Sequence, residues 1–214
     1  ITTQYTMSGV ETLSLGDLTG ALVFSGANTS GLTIIDTSAL ATSGASFVNM
    51  GAAAITVNTA GDVATNQTLT TANTGAMVLN YNALAATSAA TSTSSSSTNI
   101  DVTNTDYTFT GTTDLTINLN PYTGNTGSVI TAAEATTVTL NVASGKNVAS
   151  TPAELTEFDG AITAAKATAF NANILGTIDN TAAITVDLAT ESIITNSTSA
   201  GAINLQAAAL EALT

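Results

Sequence analysis

Two groups of carboxylates are the places where this sequence gathers residues able to do chemistry. Asp101, Asn104, Asp106 and Asp114 lie together in "IDVTNTDYTFTGTTD" (100–114). Calcium is a hard cation held by carboxylate and carbonyl oxygens, so this quartet is the candidate calcium site. It is no EF-hand, because no Asp-x-Asp-x-Asp-Gly loop with a closing Glu is present. The competing reading is that the same residues simply make turns and exposed strand positions. Glu154, Glu157 and Asp159 form the second group, in "STPAELTEFDGAITAAKATAF" (150–170). They suit an acid/base pair, a cation site, or the electrostatics of a helix N-terminus, and the last demands the least of the surroundings.

What the chain lacks narrows the chemistry further. It has no His, so a Ser-His-Asp triad is excluded. It has no Cys, which removes thiolate metal sites, Cys nucleophiles and disulfides. Lys146 and Lys166 are its only cations, against fifteen acidic residues and a net charge of −13. Nucleic acid needs a basic footprint and an anionic membrane would repel this chain, so neither is an expected partner. No apolar run approaches the roughly 18 residues of a membrane-spanning helix, and no signal-peptide pattern is visible. Two carboxylates alone can hydrolyse a glycoside. Tyr81, Tyr107 and Tyr122 are too scattered to build the aromatic platforms such a site uses, and phosphate-binding glycine loops are missing. The expectation is a protein that is not an enzyme, with a carbohydrate-active enzyme as a distant alternative.

The elements that would position these residues read as strands. "TLSLGD", "GLTIID", "AITVNT", "AMVLNY", "DLTINLN", "TVTLNV", "AITVDL" and "AINLQA" each place apolar side chains at alternate positions and run into turn-forming residues. Aromatic residues are only 4% and charged residues 8%, so the core must come from Ala, Val, Ile, Leu and Thr methyl groups. Spacing then separates the all-β folds. Leu115 to Val138 is 23 residues, Ile162 to Ile184 is 22 and Ile184 to Ile203 is 19, with shorter steps from Leu13 to Leu22 to Leu32. A loose period near 20 predicts an all-β solenoid of the parallel β-helix kind with short helical insertions, about ten coils forming a rod roughly 50 Å long. A β-sandwich is the alternative. "TSAATSTSSSST" (87–98) has no apolar periodicity and reads as a linker or projecting loop. It divides the chain into a β-rich segment 1–86 and a solenoid segment 99–214.

Within 150–170 the spacing predicts a short helix, with Thr151 as N-cap, Pro152 at its first position, Glu154 at the capping-box position, and Leu155 and Phe158 on its buried side. "TPAELTEFDGAITAAKATAFNANILGTIDN" resembles a repeat unit of bacterial surface-layer-type and RTX-associated secreted proteins. Ala153, Glu154, Leu155, Phe158, Asp159, Gly176 and Thr177 carry the likeness, and "VITAAEATTVTLNV" (129–142) is a shorter version. The resemblance implies type I secretion, a β-solenoid shaft, calcium-dependent folding or assembly, and a place at the cell surface. The glycine-aspartate nonapeptides of the RTX calcium roll are absent. The expected function is a segment of a surface-layer lattice that self-associates through calcium-bridged lateral contacts, with cell-surface polysaccharide as a further partner. The stalk or passenger of a secreted adhesin is the alternative.

Overall fold

The computed structural model describes residues 6–16, 20–38, 44–59, 67–81, 100–103, 105–120, 123–143, 146–147, 154–155, 157–178, 183–196 and 203–214. Among them the chain is all-β, built from two long parallel sheets, as the alternation and period predict. The nine-stranded sheet stacks Thr12–Ser14, Ile34–Asp36, Ile55–Thr59, Met77–Tyr81, Asp114–Leu119, Thr137–Val142, Ala169–Ile174, Glu191–Asn196 and Ala212–Leu213 in chain order. The ten-stranded sheet takes the strands between them, from Leu22–Ser25 and Ala45–Val48 to Ile184–Thr185 and Leu205–Gln206. The chain therefore alternates between sheets, and each strand pairs with its counterpart one coil away. Parallel sheets are stable when side chains cover a face, and here the two inner faces cover each other.

Leu115 pairs with Val138 and Ile162 with Ile184, so both sequence intervals were true coil steps. The next step runs from Ile184 to Leu205 rather than to Ile203. The short N-terminal intervals were half-coils: Leu13 and Leu22 stand in different sheets, and the partner of Leu13 is Ile35. Asn58 to Asn80 is a step of 22 residues, whereas Asn80 to Asn118 takes 38 and Glu134 to Lys166 takes 32. The long coils insert residues without breaking the ladders. Met77–Tyr81 pairs directly with Asp114–Leu119, and Gln67–Ala72 with Thr105–Thr110. Strands from 1–86 and from 99–214 thus belong to the same two sheets, while residues 87–98 lie outside the described residues.

Inside, the nine-stranded sheet contributes Ile35, Val57, Leu79, Ile117 and Leu140, all fully buried. Opposite them the ten-stranded sheet offers Phe24, Phe47, Phe109, Ile130 and Ile162, and Ala132 and Ala164 follow just past its strands. Tyr81 and Tyr107 meet edge to face at 5.9 Å, and the Tyr107 hydroxyl donates to Thr59 Oγ1 at 3.0 Å, which satisfies that buried phenol. The corners are built from small residues. In "TAAEAT" and "TAAKAT" the N–H of Ala135 returns to Ala132 O at 3.0 Å, and that of Ala167 to Ala164 O at 2.9 Å. All four alanines are fully buried, because a larger side chain would not fit inside so tight a turn.

The helix expected over 150–158 is not formed at its described residues, 154–155 and 157–158. Glu154–Leu155 is a strand, antiparallel to Lys146–Asn147, and Glu157–Thr163 is a strand of the ten-stranded sheet. The physical reason is a competing period. Phe158, Gly160, Ile162 and Ala164 alternate inward, and backbone partners wait on both sides in Thr123–Thr131 and Ile184–Thr185. Pairing along both edges outweighs a few residues of helix propensity. Thr151, Pro152 and Ala153 lie outside the described residues. The one helical element among the described residues is a single 3-10 turn, Gly26–Asn28.

Candidate functional site

Three of the four candidate calcium ligands, Asp101, Asp106 and Asp114, fall on three separate strands. Asp101 lies in Ile100–Thr103, a strand that pairs with the first half of Thr123–Thr131. Asn104 and the side chain of Asp101 are outside the described residues. Asp106 belongs to Thr105–Thr110 in the ten-stranded sheet, while Asp114 opens Asp114–Leu119 in the nine-stranded sheet. Each of the last two has a local task. Thr123–Thr131 shifts register between Thr126 and Val129, and such a bulge leaves a backbone N–H without its ladder partner. Asp106 Oδ1 accepts the Val129 N–H at 2.9 Å. Asp114 Oδ2 accepts the Thr113 hydroxyl at 3.0 Å. Among the described residues no group of three or more His, Cys, Asp or Glu is gathered closely enough to hold a metal ion.

Glu154 and Glu157 are strand residues whose side chains lie outside the described residues, and Asp159 projects half-buried from the outer face of the ten-stranded sheet. Lys166 sits at a corner tip directly above Glu134 one coil earlier, and their Nζ–Oε2 distance is 2.5 Å. Both side chains are about half exposed, so the pair is a surface ion pair of modest worth. Lys146 lies in the small antiparallel pair with Leu155 opposite.

The most regular polar feature is a ladder of asparagines, as a solenoid with Thr and Asn in its strands leads one to expect. Asn80 Nδ2 donates to Asn58 Oδ1 at 3.0 Å, Asn118 to Asn80 at 2.8 Å, and Asn141 to Asn118 at 2.8 Å. Every amide donates toward the preceding coil. The strand register places Asp36 before Asn58 and Asn173 after Asn141 in the same column. Its signal stood in the sequence: "ITVNT", "MVLNY", "LTINL" and "VTLNV" each carry Asn at the same strand position. The residue two places earlier is Thr56, Val78, Thr116 or Thr139, pointing to the same outer face.

From Asn58 to Asn141 this column is a regular, uncharged, half-buried row of amides. No family model, no curated protein and no solved structure matches this chain.

Proposed function

We propose that the chain is a structural segment of an extracellular surface assembly of the surface-layer kind, which associates laterally with copies of itself. The observation that supports this reading is the pair of sheets running in register from Thr12–Ser14 to Ala212–Leu213. Such stacking produces a stiff shaft with two regular outer faces, and its inventory of side chains is suited to contact rather than to turnover. Divalent cations enter as bridges between copies. Exposed Asp114, Glu191 and Glu211 offer single carboxylates, and a calcium ion shared by two chains completes its oxygen shell from both. Among the described residues no helix is long and apolar enough to cross a membrane.

Light scattering of the purified chain, with calcium and then with EGTA, tests the proposal. Calcium-dependent growth into sheets or filaments is the expected result. A monomeric rod under both conditions would overturn it in favour of an adhesin stalk.

A further inference from the structure

The nine-stranded sheet presents two outward columns of unusual uniformity. From Ile55–Thr59 through Ala169–Ile174 the outward residues are Thr, Val or Asn, and none is charged. This is notable in a chain with a net charge of −13. Carboxylates on this sheet stand outside that stretch, as Asp36 does one coil before Asn58, or at the heads of strands, as Asp114 and Glu191 do. The ten-stranded sheet differs, since Asp106 and Asp159 lie on its outer surface and its ladder carries a bulge at Thr126 to Val129. No register shift interrupts the pairings of the nine-stranded sheet from Ile55–Thr59 to Ala169–Ile174.

We propose that this uncharged Thr/Asn face is the surface through which two copies of the chain pack, face to face about a two-fold axis. The inference rests on the self-association reading above and names its interface. Three physical arguments carry it. First, an approach through the strand heads at Asp114 and Glu191, or through Asp106 and Asp159, brings carboxylates together, and burying unpaired charge is expensive. Second, a second copy has the same coil spacing by construction. Rows of Thr and Asn can therefore interdigitate across the strands from Ile55–Thr59 to Ala169–Ile174, as side-chain ladders do in stacked sheets. Third, the size fits a reversible contact. These five strands, at strand spacing and five or six residues in width, cover roughly 400 Å² per copy. Two such faces bury roughly 800 Å², the range of weak, concentration-dependent association. The amides of Asn58, Asn80, Asn118 and Asn141 are already bonded to one another, which lowers the cost of removing water from them.

Sedimentation velocity over a concentration series, in calcium-containing and calcium-free buffer, decides the matter. The wild-type chain is compared with Thr116→Glu/Thr139→Glu on this face and Thr131→Glu/Thr163→Glu on the other sheet. All four positions are outward and half-buried, and circular dichroism checks that the fold is kept. The expected result is a wild-type dimer, weakened by about tenfold or more in the first variant and unchanged in the second. Mixing the first variant with Thr116→Lys/Thr139→Lys restores dimers, which separates a face contact from a folding defect. Dimers that survive Thr116→Glu/Thr139→Glu, or that are lost only with Thr131→Glu/Thr163→Glu, overturn the proposed face and leave self-association standing. A wild-type chain that stays monomeric throughout overturns both.

Discussion

Single residues in this protein matter according to how many coils they connect. Asn118 both donates to Asn80 and accepts from Asn141, so Asn118→Ala removes two ladder bonds at once. At a net worth of about 1 kcal/mol per bond, the expected loss is about 1–2 kcal/mol, read by chemical denaturation. Gly75 is more constrained. A Cβ there would press into the carbonyl oxygens of Ala52 and Ala53, which are backbone and have nowhere to retreat. The Gly75 N–H is also bound to Asn73 Oδ1, and Asn73 Nδ2 in turn donates to Ala53 O at 2.8 Å. Gly75→Ala is expected to cost about 1–3 kcal/mol in the same experiment, as overpacking of a tight site does. Lys166→Ala removes the exposed pair with Glu134 and is expected to shift stability by less than about 1 kcal/mol. A loss for Lys166→Ala as large as that for Gly75→Ala would show that the corner tips, not the corner interiors, hold the coils in place.

At the scale of the strand and the coil, the ladders predict which changes the fold absorbs. Ile117 is fully buried between Leu79 and Leu140, so Ile117→Ala should cost about 2–5 kcal/mol. The coil from Asn80 to Asn118 is 38 residues where Asn58 to Asn80 is 22, so its excess is an insertion into an existing repeat. Excising residues 83–98 should leave the strands on either side paired and the β signal intact, since the cost of closing a connection changes only slowly with its length. Loss of β signal in that variant would mean that the insertion helps to hold the coils. The strands that were legible in the sequence belong mostly to the nine-stranded sheet, because Ile, Val and Leu alternate there with Thr and Asn. The opposite sheet was hardly legible. One of its inward columns passes from Phe47 through Thr71 and runs on past the strand ends to Ala132 and Ala164, and Ala and Thr carry little hydrophobic contrast. The helix expected at 154–158 failed for a related reason. A capping signal is local, whereas the pairing that overrode it comes from residues 20 to 33 positions away in neighbouring coils. The candidate calcium quartet was legible only as composition. Sequence proximity brought Asp106 and Asp114 together on paper, while the corner between them sends the two to different sheets.

For the molecule as a whole, charge and shape act in opposite directions. A net charge of −13 keeps copies apart at low ionic strength, and screening shortens that repulsion to about 10 Å at 0.1 M salt. If the contact is the uncharged face, sodium chloride alone should strengthen association, with calcium adding a further increment at equal ionic strength. Salt that weakens association would point instead to direct ion pairing. Light scattering in matched buffers reads the difference. The direction of the backbone bonds has a mechanical corollary. Because parallel strands are stacked coil on coil, the bonds between coils point along the shaft, and tension between its two ends loads them head-on. Such a ladder yields one rung at a time. Under a steadily retracting tip the chain should lengthen in a sawtooth, releasing roughly 75 Å for a coil of 22 residues, with longer teeth from the coils of 32 and 38. A shaft built in this way behaves as a shock absorber, giving up length in measured steps while the remaining coils stay folded.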